Sequence, residues 1–196
     1  MSIVTLVSGG LDSTLIAYLA KEEGIQQYPL FIDYGQRSRD RELAACRQVM
    51  KKLSLSNLEI AQLSDYGRLI KSGLTDPRQR VLEDAFTPGR NMLFLLVASA
   101  YAFQRQADAI SIGLLHEETS LFPDQTSAFL KEAEGLIARI MGHGIKVLAP
   151  LSEFRKQQVI TLAQEKGIDG TYSCHLGGEV PCGACIACNE FKIPEV

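Results

Sequence analysis

Tryptophan is absent, no apolar run is long, and neither sign of charge dominates the 196 residues. The longest apolar stretch, residues 92–103, is interrupted by small residues and is too short for a membrane span of about 20 residues. The start has no charged segment followed by an apolar one, so we expect no secretory leader and a cytoplasmic location. Twenty basic residues oppose 23 acidic ones, which together with the missing tryptophan argues against a nucleic-acid-binding module.

The composition is that of an ordinary globular protein, with 46% hydrophobic and 22% charged residues. A disordered or fibrous chain is therefore excluded. The length suits one domain with a small appendage. Because the composition changes only near residue 170, where cysteines become frequent, we predict a domain over residues 1–170 and a cysteine-rich tail over residues 171–196.

Short apolar runs alternate with amphipathic segments about five times along the chain. Strands are predicted at residues 3–7, 28–33, 58–63, 109–112 and 146–148. Helices are predicted at residues 12–23, 39–53, 91–104, 124–141 and 153–166. Residues 64–89 have no clean period and are predicted to form a long loop. The alternation favours an α/β fold with a doubly wound parallel sheet.

A glycine-rich loop follows the first predicted strand. Gly9 and Gly10 lack a Cβ atom, so the backbone N–H groups there can approach an anion. The following helix adds the free N–H groups and the positive dipole end of its first turn. Ser8, Ser13 and Thr14 add hydroxyl groups. The loop has no lysine and no third glycine, so it is neither the Gly-Lys nucleotide loop nor the dinucleotide fingerprint.

The string Ser-Gly-Gly-Leu-Asp-Ser over residues 8–13 resembles the PP-loop of ATP pyrophosphatases. Those enzymes bind ATP through its pyrophosphate and cleave between the α and β phosphates. The resemblance implies an adenine nucleotide alpha hydrolase-like fold, Mg²⁺ held with the help of Asp12, and ATP binding at Ser8, Gly9, Gly10, Asp12, Ser13 and Thr14. A tight turn in which Asp12 or Ser13 caps the helix is the structural alternative.

Four later segments narrow the resemblance: Asp-Tyr-Gly-Gln-Arg at 33–37, Thr-Pro-Gly-Arg-Asn at 87–91, Ala-Pro-Leu at 149–151 with Lys156, and Ser-Cys at 173–174 with the last cysteines. Together they resemble the 7-cyano-7-deazaguanine synthases, the QueC-like family. The resemblance implies catalytic roles for Asp12, Arg90 and Lys156, and substrate binding by Tyr34, Gln36, Arg37, Asn91, Phe122 and Asp124. Taken singly, each segment could equally be a turn or a solvated helix start.

The segment after the fourth predicted strand departs from that family. Leu115 stands at the position of a family Asn, and Gln125-Thr126 replaces a Cys-Arg pair, whereas Phe122-Pro123-Asp124 is kept. This segment is expected to lie beside the acceptor, so adenylation is predicted and the identity of the acceptor stays open. His116 is either an acid–base group or a solvated loop residue.

Four of the five cysteines cluster as C-x7-C-x2-C-x2-C, at Cys174, Cys182, Cys185 and Cys188. In a cytoplasmic protein this pattern favours a metal site over disulfides. Four thiolates suit a closed, structural Zn²⁺ site, and an iron–sulfur cluster is the alternative. Cys46 stands apart on a helix and is predicted to be a core residue.

The resemblance implies ATP-dependent adenylation of 7-carboxy-7-deazaguanine and amination with ammonia to 7-cyano-7-deazaguanine, as in queuosine biosynthesis, by a homodimer. One alternative stops at the amide, or transfers the activated acyl group to another amine such as a protein terminus. A tRNA-thiolating PP-loop enzyme is a second alternative, which would need a reactive cysteine near the nucleotide. A zinc-dependent nucleic-acid-binding module without catalysis is the third.

Overall fold

Five parallel strands form one sheet in the order β3-β2-β1-β4-β5, in a computed structural model that describes residues 1–55 and 57–192. The strands are β1 (Ser2–Leu6), β2 (Gln26–Asp33), β3 (Glu59–Gln62), β4 (Ala109–Ser111) and β5 (Lys146–Leu148). The four last residues of the predicted tail, 193–196, lie outside the described residues. The predicted parallel sheet is confirmed, with strand ends shifted by one or two residues at most positions.

Helices cover both faces of the sheet, so the predicted doubly wound arrangement is also confirmed. Leu30 and Ile32 of β2 face one layer, whereas Phe31 between them faces the other. The first layer contains α4 (Arg90–Arg105) and α5 (Ser127–Met141), and the second contains α1 (Leu11–Glu22), α2 (Arg39–Lys52) and α6 (Lys156–Glu165). The two short helices are α3 (Ser64–Leu69) and α7 (Ile186–Glu190).

Helix α4 forms the centre of the larger core. Leu95, Ala98 and Ala102 recur at helical spacing and are fully buried against the sheet. The two alanines let the helix axis approach the strands closely. Among the described residues, no helix combines the length and the apolar character that a membrane crossing requires.

Residues 64–89 correct one prediction, because they do not form a structureless loop. Helix α3 lies at their start, and Ser72, Leu74 and Thr87 are buried further on. The hydroxyl groups of Ser72 and Thr87 lie 2.7 Å apart, so the segment closes on itself through polar side chains. An apolar period cannot reveal an arrangement of this kind.

Two helix starts also differ from the prediction. A 3₁₀ turn over Pro123–Gln125 precedes α5, and Thr126 then caps the helix by accepting a hydrogen bond from Phe129 N at 3.2 Å. Helix α6 begins at Lys156, three residues later than predicted, because residues 150–153 form a turn.

The topology places a crevice between β1 and β4. Strand β1 lies in the middle of the sheet, with β2 as its neighbour on one side and β4 as its neighbour on the other. Loops that leave adjacent strands in opposite directions open a crevice at the carboxyl edge of a parallel sheet. The glycine-rich loop follows β1, and Gly113 follows β4, so both loops line this crevice.

Candidate active site

The backbone of the glycine-rich loop is fixed by a close approach of α2. Gly9 has φ of +78°, and a Cβ atom there would lie 2.4 Å from the carbonyl oxygen of Glu42 and 2.6 Å from Cys46 N. No other residue satisfies both the left-handed conformation and this contact. The Gly9 carbonyl also accepts a hydrogen bond from Tyr172 N at 2.8 Å, which ties the tail to the loop.

Ser8 and Ser13 close the loop through their hydroxyl groups. Ser13 Oγ accepts from Ser8 N at 3.1 Å, and Ser8 Oγ accepts from Gly10 N at 3.2 Å. Gly10 is the N-cap of α1, and no side chain caps this helix. The first-turn N–H groups of α1 are therefore available to an anion, as the phosphate-cradle interpretation requires. Thr14 is buried, and its Oγ1 has no hydrogen-bond partner in the part of the chain that the structure describes.

Two adjoining cavities of about 270 Å³ and 220 Å³ lie at this edge of the sheet. The larger one extends between apolar side chains that include Leu30, Ile32 and Phe94. The smaller one reaches the tail at Tyr172 and Ile186. Six polar residues line both cavities: Ser8, Asp12, Glu42, Arg90, Gln125 and His175.

Lys156 lies between two carboxylates. Its Nζ is 2.8 Å from Oδ1 and 3.0 Å from Oδ2 of Asp12, and 3.1 Å from Oε2 of Glu190. Burial lowers the pKa of Lys156, but the two carboxylates outweigh it and the pKa is raised. Burial also raises the pKa of Glu190. Lys156 is thus a fully charged ammonium at the cavity wall, and Asp12 is paired with it instead of capping α1.

Arg90 lies between two aromatic rings. Its guanidinium carbon is 5.8 Å from the centre of the Tyr34 ring and 5.9 Å from that of Phe94. Nη1 donates to the Tyr34 hydroxyl at 3.5 Å, and the buried Nε has no partner among the described residues. Burial raises the pKa of Tyr34, although Arg90 opposes the rise. A guanidinium held by rings keeps donors for an anion in the cavity.

The predicted substrate residues lie at different places around the two cavities. Tyr34 and Asn91 line the larger cavity, and Phe122 lines the smaller one. Asn91 Nδ2 donates to the carbonyl oxygen of Asp124 at 2.8 Å, so these two residues fix the loop before α5.

Gln36 and Arg37 are used within the protein. Gln36 lines the larger cavity, but its amide bonds Tyr34 N, Ile32 O and Glu42. Arg37 does not line either cavity, because its Nη1 donates to the carbonyl oxygen of Gly73 at 3.1 Å. The structure therefore places Arg37 against residues 64–89 instead of at the predicted substrate site.

Glu42, His175 and Gln125 complete the cavity wall, although sequence analysis assigned none of them a catalytic or substrate-binding role. Glu42 accepts hydrogen bonds from Ser38 Oγ at 2.6 Å and Gln36 Nε2 at 3.0 Å, and burial raises the pKa of Glu42. Burial, with help from nearby cationic side chains, lowers the pKa of His175 to about 4. Gln125 Oε1 accepts from two backbone N–H groups of its own loop. Glu42 belongs to no motif, and the motifs that precede Gln125 and His175 end before these two residues.

The loop histidine has a local structural role. His116 Nδ1 accepts a hydrogen bond from Glu118 N at 3.3 Å and caps a 3₁₀ turn. His116 lines neither of the two cavities. These contacts agree with the interpretation of His116 as a solvated loop residue.

The four predicted metal ligands come together in the tail. The sulfurs of Cys174, Cys182, Cys185 and Cys188 all lie within 4.8 Å of one another. Backbone N–H groups donate to three of them, for example Cys185 N to Cys182 Sγ at 3.3 Å. Sulfurs around one tetrahedral zinc ion lie about 3.8 Å apart, since each Zn–S bond is about 2.3 Å long. A cluster in which each thiolate binds a different iron needs wider spacing, so the geometry fits a single ion.

Comparison with known proteins decides the family. Residues 2–192 match the sequence model of a protein family that is described as queuosine biosynthesis protein QueC. The chain belongs to the QueC family. The 7-cyano-7-deazaguanine synthase of Synechococcus sp. strain CC9311 is 35% identical over 202 residues, which cover 94% of this chain and 88% of that protein. The synthase of Acetivibrio thermocellus is also 35% identical, over 200 residues and the same shares of the two chains, 94% and 88%.

A solved structure shares the α/β fold of this QueC family chain. The U34-tRNA thiolase NcsA from Methanococcus maripaludis, solved with its 4Fe-4S cluster, superposes with a TM-score of 0.57. It is 15% identical and covers 98% of this chain and 63% of its own. Membership in the QueC family identifies the chain as an ATP-dependent enzyme with a role in queuosine biosynthesis.

Proposed function

We propose that this protein adenylates 7-carboxy-7-deazaguanine and aminates it with ammonia to give 7-cyano-7-deazaguanine. The observation that carries the proposal is the placement of Asp12, Lys156 and Arg90 around the two cavities beside the phosphate loop. Family membership and the similarity to named synthases support the choice of substrate.

In the proposed complex the adenine of ATP occupies the apolar part of the larger cavity, and its phosphates lie on the glycine-rich loop. Leu30, Ile32 and Phe94 provide flat apolar contact for a base. Ser8, Gly9, Gly10 and Ser13 would surround the phosphates, with the serine hydroxyl groups and the first-turn N–H groups of α1 as hydrogen-bond donors. Asp12 provides one carboxylate for Mg²⁺, which commonly binds one or two carboxylates together with phosphate oxygens and neutralises phosphate charge.

In the first half-reaction a carboxylate oxygen of the substrate attacks the α-phosphorus, and the bond to the β-phosphate oxygen breaks. Lys156 and Arg90 stabilise the charge that develops on the phosphates as pyrophosphate leaves. Activation removes the delocalised charge of the carboxylate, so ammonia adds to the acyl carbon and AMP leaves. The amide oxygen is then activated by a second ATP, and loss of AMP and two protons gives the nitrile.

The tail is proposed to be a zinc-bound unit of residues 171–196 that packs on a catalytic domain of residues 1–170. The convergence of four sulfurs supports a single Zn²⁺. A site with four protein ligands has no open position, so its role is structural. Tyr172 and Glu190 transmit that role to the catalytic cavity through their contacts with Gly9 and Lys156.

The loop over residues 115–126 departs from the family pattern, and this departure supports the alternative products. Gln125 lines both cavities, and the resemblance gives a Cys-Arg pair at Gln125-Thr126 and an Asn at Leu115. A site that hydrogen-bonds a polar edge discriminates by a factor of about 10⁴, so these changes can redirect the second half-reaction without altering ATP binding. Thiolation has less support, because burial raises the pKa of Cys46 to about 12 and the other four cysteines share the metal site.

We expect the protein to release pyrophosphate when it receives ATP, Mg²⁺ and 7-carboxy-7-deazaguanine. Mass spectrometry over time, with and without ammonia, should show the adenylate, then the amide, then the nitrile. 7-Deazaguanine, which lacks the carboxylate, is the matched control and should release none. Accumulation of the amide or adenylate at ordinary ammonia levels would favour the alternative products, and no pyrophosphate release would contradict the proposal.

A homodimer is also proposed, and the outer faces of α4 and α5 support it. Leu96 and Phe103 on α4 and Leu136 and Ile140 on α5 are exposed apolar residues on two helices that pack side by side. Exposed apolar groups of this kind commonly lie in protein interfaces. We expect light scattering to give twice the chain mass of 21.5 kDa and Leu136→Glu to give 21.5 kDa. A monomeric wild-type protein would contradict the dimer.

A further inference from the structure

Glu190 is an active-site carboxylate that the proposed reaction does not use. It lines the smaller cavity, and its Oε2 is 3.1 Å from Lys156 Nζ. It lies on the short helix α7, two residues after Cys188. The next residue, Phe191, places its ring centre 5.2 Å from the same ammonium. The cysteine cluster therefore determines where a charged group and a ring meet Lys156.

Lys156 and a magnesium ion compete for the same atoms of Asp12. The ammonium is within 3.0 Å of both Asp12 carboxylate oxygens, and these are the atoms that the metal would bind. Lys156 is only 7% exposed, so losing its counter-charge would leave a buried ammonium unpaired, which is costly. With Asp12 as its only partner, Lys156 would therefore oppose metal binding. Glu190 relieves the competition because it stays beside Lys156 when Asp12 turns to the metal.

We propose that Glu190 is a positioning residue that keeps Lys156 paired while Asp12 binds the magnesium–nucleotide complex. The metal-binding tail thereby adjusts the affinity of the catalytic site for Mg²⁺. The inference rests on the proposed function in one respect, which is the role of Asp12 as the magnesium ligand.

The substitution Glu190→Gln tests this proposal, because it keeps the shape of the side chain and removes the charge. Isothermal titration calorimetry would follow the binding of an α,β-methylene ATP analogue at increasing Mg²⁺ concentrations. We expect the Mg²⁺ concentration for half-maximal binding to rise about five- to tenfold, in the range of couplings between contacting charges. In pyrophosphate assays the Mg²⁺ requirement should rise in parallel, with kcat at saturating Mg²⁺ changed less than about twofold.

Two matched variants separate positioning from a general structural effect. Glu165→Gln removes an exposed carboxylate from α6, the helix that carries Lys156, and should leave the Mg²⁺ dependence unchanged. In a Lys156→Gln background the competing ammonium is absent, so adding Glu190→Gln should shift the Mg²⁺ dependence by less than about twofold.

An unchanged Mg²⁺ dependence in Glu190→Gln would overturn the inference. The same holds if the shift persists in the Lys156→Gln background, or if Glu190→Gln loses the tail metal by elemental analysis. Failure of the proposed function has a different signature, which is wild-type protein that releases no pyrophosphate with 7-carboxy-7-deazaguanine. The analogue titration does not depend on that acceptor, so the two failures are distinguishable.

Discussion

Asp12→Ala is expected to lower the rate of pyrophosphate release by at least about 10²-fold, because it removes the carboxylate that would hold the Mg²⁺ ion that neutralises charge on the phosphates. The fold should remain, because Lys156 keeps Glu190 as a counter-charge and the buried ammonium stays paired. Pyrophosphate assays together with circular dichroism measure both properties. Ser13→Ala should also abolish release, since it removes a donor to the phosphates and the hydrogen bond to Ser8 N.

Asp65→Asn is the matched control for Asp12→Ala. Asp65 is an exposed carboxylate on α3 that pairs only with Arg68 at the surface, where such pairs contribute about 0–1 kcal/mol. This variant should release pyrophosphate at the wild-type rate. Near-normal release by Asp12→Ala and Ser13→Ala would mean that the glycine-rich loop is only a turn.

Cys182→Ser is expected to remove the metal and to lower the melting temperature. Cys182 Sγ accepts hydrogen bonds from two backbone N–H groups, so losing this ligand opens the turn that presents the other thiolates. A loss of only about 3 kcal/mol would lower the melting temperature by about 6–12 °C for a chain of this size. Activity should fall as well, because Tyr172 and Glu190 lose their fixed positions.

Elemental analysis and calorimetry test the expectation of one zinc ion per wild-type chain and none in Cys182→Ser. Cys46→Ala is the control, since it removes a buried thiol outside the cluster and should retain the metal. Iron with visible absorbance would indicate an iron–sulfur cluster instead. A fully active preparation without any metal would show that the tail does not need one.

Apolar periodicity was sufficient to predict the sheet and its long helices. Buried strands such as β1 and helices such as α4 are dominated by burial, and burial leaves a regular pattern in the sequence. Helix α3 was missed because its six residues are too few for an apolar period to be recognised. Gly67 within it is required by a contact, since a Cβ atom there would lie 2.5 Å from the carbonyl oxygen of Tyr34. A contact of this kind is invisible until both segments are placed.

Site residues that belong to a recognisable motif could be predicted from the sequence, whereas residues outside such motifs could not. The glycine-rich loop, Arg90 and the four cysteines belong to recognisable strings, and the structure places them at the cavities or in one cluster. The pairing of Lys156 with Asp12 joins residues 144 positions apart, and that of Lys156 with Glu190 depends on the folded tail. Arg37 is the opposite case. It belongs to the motif at residues 33–37, but its side chain donates to the carbonyl oxygen of Gly73 and does not line the cavity.

The clamped backbone at Gly9 has a consequence for the thermodynamics of nucleotide binding. The loop touches α2 on one side and the tail on the other, so its conformation is determined by segments that are far apart in sequence. The entropy lost in ordering the loop is therefore lost when the protein folds, before ATP arrives. ATP then meets a cradle that is already rigid, and more of the interaction energy appears as affinity. The amides of Ser8 and Gly10, which donate to side-chain hydroxyl groups within the loop, should accordingly exchange hydrogen slowly even in the nucleotide-free protein.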